Sequence, residues 1–235
     1  MKIFSFVPII IVILFGTIFT DNSARAQDKP IELQGDFSFS TDYVFRGVSR
    51  SDGDIVAQGL LSVLFPKGFY TDFFVSSLSS GVFGRDFELE AAAGWGTTSG
   101  AYDLNFAVAY DSFHGNGGSD GYFEFRSSIS RDIGFVYARA GLSYVPDNRE
   151  FGLGRSIYSF MDAEIPIPLG DFPPVTIAFQ AGYEDFEGGF DKWDWGASLY
   201  MDVLGFELGL RYHDNNQAIV TGSKSRFVFS IKRFF

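Results

Sequence analysis

Apolar and polar side chains alternate along the chain from about residue 27 to the end. Between Phe69 and Ser77, for example, Phe69, Phe73 and Val75 fall on one side of an extended backbone and Asp72 falls on the other. A period of two residues is typical of β-strands with one apolar face. The pattern predicts about twelve strands, over residues 40–47, 55–65, 69–77, 86–95, 102–110, 121–131, 135–145, 157–165, 175–184, 193–203, 206–212 and 226–235.

The connections between these segments alternate in length. Tight turns are predicted at Pro66–Gly68, Thr97–Gly100, Asp132–Gly134 and Leu204–Gly205, and the loops between them are longer. Short turns at one end and longer loops at the other are typical of bacterial outer-membrane barrels, whose short turns are periplasmic. The exception is Pro166–Pro174, where we expect a rigid, proline-rich connection. The predicted fold is an all-β, transmembrane, antiparallel up-and-down β-barrel.

The positions of the aromatic residues separate this fold from a soluble β-sandwich, whose strands also alternate. The chain contains 29 Phe, 11 Tyr and 3 Trp, and many of them flank the predicted turns. Aromatic rings at strand ends are typical of the girdles that face the lipid interface. The predicted girdle residues are Tyr43, Phe45, Phe65, Phe69, Trp95, Tyr102, Tyr183, Trp193 and Trp195.

The first 26 residues differ from the rest of the chain. Lys2 precedes an apolar run that ends near Phe19, and Ala24-Arg25-Ala26 follows with a small-x-small pattern. This order is typical of a cleaved signal peptide, and a membrane anchor is the alternative because the run is nearly long enough to span a bilayer. We expect removal of residues 1–26 and a single barrel domain over residues 27–235.

Net charge and cysteine content argue against a nucleic-acid partner, a disulfide framework and a cysteine metal site. The formal net charge of −11 argues against a nucleic-acid partner, because phosphate binding needs a basic surface. The chain has no cysteine, hence neither a disulfide framework nor a cysteine metal site. Asp52-Gly53-Asp54 and Asp214-Asn215-Asn216 lack the ligand number of a calcium loop. We expect no metal and no cofactor.

The polar faces of the predicted strands carry charged side chains that would line the barrel interior. Carboxylates outnumber arginines among them, so an open pore is expected to favour cations or neutral solutes. Alternatively, salt-bridged side chains fill the interior, and both possibilities stay open. The candidates are Asp42, Arg46, Gln58, Asp72, Glu88, Glu90, Asp103, Glu124, Arg126, Arg139, Asp162, Glu164, Gln180, Glu184, Asp194, Asp202, Glu207, Arg211 and Arg226.

Two segments carry a family resemblance. The last strand ends on Phe235, with Phe227, Phe229 and Ile231 in phase, and is similar to the C-terminal signal that outer-membrane barrels present to the barrel-assembly machinery. The run Asp42-Tyr43-Val44-Phe45-Arg46-Gly47-Val48-Ser49-Arg50-Ser51, followed by Gln58-Gly59, resembles the N-terminal signature of the TorF family, whose domain is named Gcw_chp. The resemblance covers residues 27–235 and implies a porin-like outer-membrane barrel without specifying a solute.

These patterns favour an outer-membrane channel for passive diffusion of small solutes. A non-conducting structural barrel is one alternative, and a lipid-modifying enzyme is another. Only His114 and His213 could act as imidazole bases, and His213 has no serine motif near it in sequence, so we expect no catalytic residue. In the channel, Asp42 and Arg46 are expected to face the interior from the first strand, and Gly47–Asp54 to form the first outward loop.

Overall fold

The computed structural model describes residues 31–79, 84–115, 118–147, 154–187, 189–217 and 225–235. The predicted signal peptide, residues 1–26, lies outside these ranges. Within them no helix has the length and apolar character that a membrane span requires.

Twelve antiparallel strands form a closed barrel, which confirms the predicted fold class and strand number. Each barrel strand pairs with the next barrel strand along the chain, and β1 closes the barrel against β14, where Phe39 lies opposite Ile231. Two short strands, β2 and β3, pair only with each other. The strands are β1 (Glu32–Ser40), β2 (Val44–Phe45), β3 (Val48–Ser49), β4 (Val56–Leu64), β5 (Phe69–Ser77), β6 (Phe87–Ser99), β7 (Tyr102–Gly115), β8 (Gly118–Ile133), β9 (Val136–Val145), β10 (Ser156–Leu169), β11 (Phe172–Phe186), β12 (Phe190–Val203), β13 (Phe206–Asn215) and β14 (Arg226–Phe234).

The outer surface of the barrel is apolar and the interior is polar. On the outer face Phe73 and Phe106 are 51% and 49% exposed, whereas Asp72 and Glu124 on the inner face are 1% and 0% exposed. A soluble protein has the opposite arrangement: its charged groups lie at the surface, where water solvates them, and its apolar groups are buried away from water. Lipid is therefore the solvent that matches this outer surface.

The connection predicted at Pro166–Pro174 is wrong. Strand β10 continues to Leu169 and β11 begins at Phe172, so a two-residue turn joins them at the same barrel end as the other short turns. Pro166 is still paired with Thr176, and the ladder becomes irregular only between Ile167 and Leu169. Proline is tolerated there because a missing N–H costs little at a strand end that is already irregular.

The predicted first strand is also wrong. Strand β1 is Glu32–Ser40, and Ser40 pairs directly with Val56 of β4, so residues 41–55 are an insertion between two neighbouring strands. Tyr43 and Ser49 of this insertion are 8% and 0% exposed. We call residues 41–55 the inner hairpin. It folds into the barrel and does not form the outward loop that was expected over Gly47–Asp54.

Candidate functional site

A twelve-strand barrel is too wide for its wall side chains to fill. Strands about 4.8 Å apart and tilted by about 40° give a circumference of about 75 Å and a backbone diameter of about 24 Å. Packed sheets are about 10 Å apart, so side chains reach about 5 Å inward from each wall and leave a gap of about 14 Å. The inner hairpin occupies this gap.

The tip of the inner hairpin is a two-residue turn at Arg46 and Gly47. Their φ angles of 48° and 75° are both positive, and Phe45 pairs with Val48 across the turn. Two positive φ angles are characteristic of a type I′ turn, the connection that best matches the twist of a two-stranded hairpin. The turn places the Arg46 side chain at the point of the hairpin.

Arg46 binds two carboxylates on wall strands that lie three positions apart in the barrel. Its guanidinium pairs with Glu124 of β8, and its Nη1 lies 3.0 Å from Oε1 of Glu184 of β11. The guanidinium carbon also lies 4.2 Å from the ring centre of Tyr158 in β10. All these side chains are buried, so solvent screens the ion pairs little.

Arg50 makes a second anchor on β6. Its Nη1 lies 2.5 Å from Oε1 of Glu88, and its Nη2 donates to the hydroxyl of Tyr122 at 3.3 Å. The guanidinium carbon lies 3.7 Å from the ring centre of Phe45 and 5.1 Å from that of Phe113. Arg50 therefore links the hairpin to both a carboxylate and an aromatic surface.

Wall side chains also hold the backbone at the tip of the hairpin. Lys192 Nζ donates to the Arg46 carbonyl at 2.5 Å and lies 3.2 Å from Oε2 of Glu184. Asn215 Nδ2 donates to the Gly47 carbonyl at 2.6 Å. These bonds satisfy two carbonyls that the turn would otherwise leave buried without partners.

Asp42 anchors the base of the hairpin. Its Oδ1 accepts hydrogen bonds from Ser49 Oγ at 2.6 Å and Ser51 Oγ at 2.7 Å, and its Oδ2 pairs with Arg226 of β14 at 2.9 Å. The Tyr43 hydroxyl lies 3.4 Å from Oε1 of Glu88. The hairpin thus contacts the wall at its base as well as at its tip.

A network on the wall continues from the hairpin. Arg126 contacts both carboxylate oxygens of Glu90, at 2.9 Å and 2.6 Å, and Oε2 of Glu124 at 2.7 Å. Asp111 lies 3.4 Å from the same guanidinium. Since Glu124 also binds Arg46, the charges of the hairpin and the wall form one connected set.

The predicted lumen residues fall into several groups. Asp42 and Arg46 lie on the inner hairpin and not on a barrel strand, and Tyr43 and Phe45, predicted to face lipid, lie inside the barrel beside Arg50. That the candidate residues line a pore stays a prediction. Buried wall candidates are Asp72, Glu88, Glu90, Glu124, Arg126, Arg139, Glu184, Asp194 and Glu207; half-buried ones are Gln58, Asp103, Asp162, Glu164, Gln180, Arg211 and Arg226; Asp202, near a tight turn, is exposed.

Sequence reasoning missed several residues that hold the hairpin. Tyr158 is in phase with Asp162 on β10, and Lys192 is in phase with Asp194 on β12, so the same alternation predicts that both face inward. Arg50 was part of the predicted outward loop, where no side chain would have a wall partner.

A small cavity lies beside the inner hairpin. It has about 50 Å³ of space for the centres of water molecules, and its lining includes Asp36, Asp42, Glu88, Arg211 and Lys232. About one water fits per 10–15 Å³ on this measure, so the cavity has room for about four waters. The hairpin therefore leaves a narrow polar space inside the barrel.

The two histidines lie on different faces of the barrel. His213 is 4% exposed on the inner face of β13. His114 lies near the end of β7, stacked on Phe87 with ring centres 5.0 Å apart, and its Nε2 is 3.1 Å from Ser112 Oγ. That hydroxyl also donates to the Leu89 carbonyl at 3.1 Å. Among the described hydrogen bonds of the His114 ring, none is to a carboxylate.

A model of the bacterial protein family of unknown function named Gcw_chp matches residues 24–235. The chain belongs to the Gcw_chp family. A comparison with curated proteins finds no match. Among solved structures, this Gcw_chp protein is similar to the KdgM porin, with a TM-score of 0.57 and 10% identity over 86% of this chain and 99% of that chain. For the NanC porin, the TM-score is 0.52 and the identity 9%, over 86% of this chain and 98% of that one.

At these identities the similarity shows the fold alone, and the fold is that of outer-membrane porins. A closed barrel with an apolar outer surface in a bacterial family belongs to the bacterial outer membrane, because lipid-exposed sheets must be closed and bacteria place such barrels there.

Proposed function

We propose that this protein is a porin-like channel for small solutes, and that the inner hairpin restricts its passage. One observation carries the proposal. The wall side chains alone would leave a gap in the barrel, and the segment that fills this gap is an insertion between β1 and β4. A barrel that served only as a scaffold would not need a lumen wider than its own side chains fill.

The buried charges favour cationic or neutral solutes. Buried carboxylates outnumber buried basic side chains by ten to six in the described part of the chain; the hairpin supplies one of the ten and two of the six, so the wall alone carries nine and four. Displacement of the hairpin would make the interior more acidic and attract cations. The carboxylates are Asp36, Asp42, Asp72, Glu88, Glu90, Asp111, Glu124, Glu184, Asp194 and Glu207; the basic residues are Arg46, Arg50, Arg126, Arg139, Lys192 and Lys232.

Planar-bilayer recordings test this function. The protein is compared with a variant in which Asn-Gly replaces residues 41–55, a change that the direct pairing of Ser40 with Val56 allows. We expect small or rare currents from the complete chain, severalfold larger currents from the variant, and a reversal potential in a salt gradient that indicates cation preference.

Folding of both proteins is checked by heat-modifiable migration on gels. If folded protein of neither kind carries current at any voltage, the channel proposal is wrong and the non-conducting structural barrel is favoured. Anion preference in the variant would contradict the acidic lumen but not the channel.

We also propose that the last strand is the signal for the barrel-assembly machinery. Phe235 exchanges main-chain hydrogen bonds with Gly35, at 3.0 Å and 2.9 Å, so the last residue lies at the seam where β1 and β14 close the barrel. Deletion of Phe235 is expected to lower the folded fraction in cells severalfold, measured by heat-modifiable migration. Refolding of the purified variant in detergent is the control, and an equal defect there would point to lost stability.

A further inference from the structure

We propose that the inner wall of the barrel carries a binding site for guanidinium-bearing organic cations, which Arg46 and Arg50 of the inner hairpin fill in this structure. The inference rests on the proposed channel function and specifies the class of solute that the channel admits. Its components belong to the wall strands, whereas the guanidinium groups that fill it belong to an inserted loop. The site therefore stays in place if the hairpin moves away.

The first half of the site surrounds Arg46. Glu124 and Glu184 approach the guanidinium from β8 and β11, and the Tyr158 ring lies against it, 4.2 Å from ring centre to guanidinium carbon. Two carboxylates and an aromatic face match a planar, delocalised cation with donors on several edges. A compact ammonium group lacks the flat surface that stacks on the ring, so the site favours guanidinium over ammonium.

The second half of the site surrounds Arg50. Glu88, Tyr122 and Phe113 supply a carboxylate at 2.5 Å, a hydroxyl at 3.3 Å and a ring whose centre is 5.1 Å from the guanidinium carbon. Each half therefore combines at least one carboxylate with an aromatic ring, and strand β8 contributes to both through Tyr122 and Glu124. A solute with one guanidinium group can use either half.

The hairpin does not saturate this site. Glu88 is 1% exposed, and its Oε2 has no hydrogen-bond partner in the described structure; Nε of Arg46 also has none. A buried acceptor without a partner is destabilising, so a ligand that supplies the missing donor competes with the tethered arginine. A free ligand can reorient to donate to the unpaired oxygen of Glu88, whereas the side chain of Arg50 is held by its backbone.

The experiment uses the full chain with Arg46→Ala and Arg50→Ala, which empties both halves of the site. Argininamide is added to single channels in planar bilayers. The controls are citrullinamide, whose neutral urea replaces the guanidinium, and lysinamide, whose ammonium group keeps the charge. We expect argininamide to block the current at a concentration at least tenfold lower than either control does. Adding Glu88→Gln and Glu124→Gln to the variant should raise the half-blocking concentration of argininamide at least tenfold.

The outcomes separate the two proposals. Current that argininamide blocks no better than citrullinamide or lysinamide would overturn the guanidinium site and leave the channel intact. If folded protein carries no current, the channel proposal fails. Calorimetric titration of the same variant in detergent then tests the site separately. The site proposal is overturned if argininamide gives no greater heat of binding than citrullinamide. If the double variant does not fold, Arg50→Ala alone is used in both measurements.

Discussion

Replacing Arg46 with Met tests whether ion pairs hold the inner hairpin in the barrel. Methionine keeps most of the aliphatic stem but removes the guanidinium, which binds Glu124 and Glu184 and lies on the Tyr158 ring. The variant should loosen the hairpin and leave the barrel strands unchanged, because none of the barrel strands includes residue 46.

The expected loss of stability follows from the partners that remain. Removing one member of a buried ion pair costs about 3–5 kcal/mol when its partner is left without compensation. Here Glu124 keeps Arg126 at 2.7 Å and Glu184 keeps Lys192 at 3.2 Å. We therefore expect the lower end of that range, a decrease of about 3 kcal/mol in the free energy of unfolding.

The assay is equilibrium unfolding of the refolded barrel in lipid vesicles, followed by tryptophan fluorescence. Urea is the denaturant, because guanidinium chloride would compete for the same carboxylates. The matched control is Arg131→Met on β8, an exposed arginine that contacts Tyr102 and whose loss should cost about 0–1 kcal/mol. Trypsin gives a second measurement: Arg50 is 7% exposed, so cleavage after it should be slow in the unaltered chain and several times faster in Arg46→Met.

Equal losses of stability in the two variants would refute the idea that Arg46 fixes the hairpin. Unchanged cleavage after Arg50 would lead to the same conclusion, even if stability fell, since a general loss of packing does not expose one internal bond.

Two further pairs of substitutions test the barrel wall. Val108→Arg, about midway along the apolar outer face, should cost about 2–4 kcal/mol in vesicle unfolding, and Tyr102→Arg, beside a tight turn, about 0–1 kcal/mol; similar costs would mean that the lipid belt is misplaced. Gly182→Ala places a methyl group on the ring of Tyr158 and should cost about 1–3 kcal/mol. Gly59→Ala meets Val75 at 3.5 Å and the Asp36 carbonyl oxygen at 3.9 Å, both ordinary contacts, and should change stability by less than about 1 kcal/mol. The same loss at both glycines would contradict the close approach of Tyr158.

Most of the barrel follows from the sequence because its strands separate two solvents. Along β7, the outward side chains Phe106 and Val108 face lipid while Asn105 and Ala107 face the interior. A strand with two such different faces alternates strongly, so its position and its two faces can be predicted. Strand ends are harder to predict from the sequence, because residues beyond the lipid belt are polar on both faces and do not alternate. For example, β6 continues to Ser99 through a region that was predicted as a turn.

The candidate site could be predicted only in part. Alternation shows that Glu88, Glu124 and Glu184 face inward, but it cannot show what lies opposite them. Arg46 and Glu184 are 138 residues apart, and their contact depends on a loop that enters the barrel. The sequence contains the charges of this network, while their pairing is a property of the closed barrel.

The error at the first strand shows which physical signal separates a membrane strand from an internal hairpin. Both alternate, since a hairpin inside a barrel also has two different faces, so alternation alone cannot assign residues 40–47. Length alone cannot either: a strand that crosses a bilayer needs about 9–11 residues, but the predicted run over residues 206–212 has seven and belongs to the barrel strand β13. The run from Ser40 to Gly47 has eight, and it ends on the glycine that a type I′ turn requires at φ +75°. A short aromatic run that ends on Arg-Gly is therefore better interpreted as one arm of a tight hairpin, whose arginine pairs with a buried carboxylate.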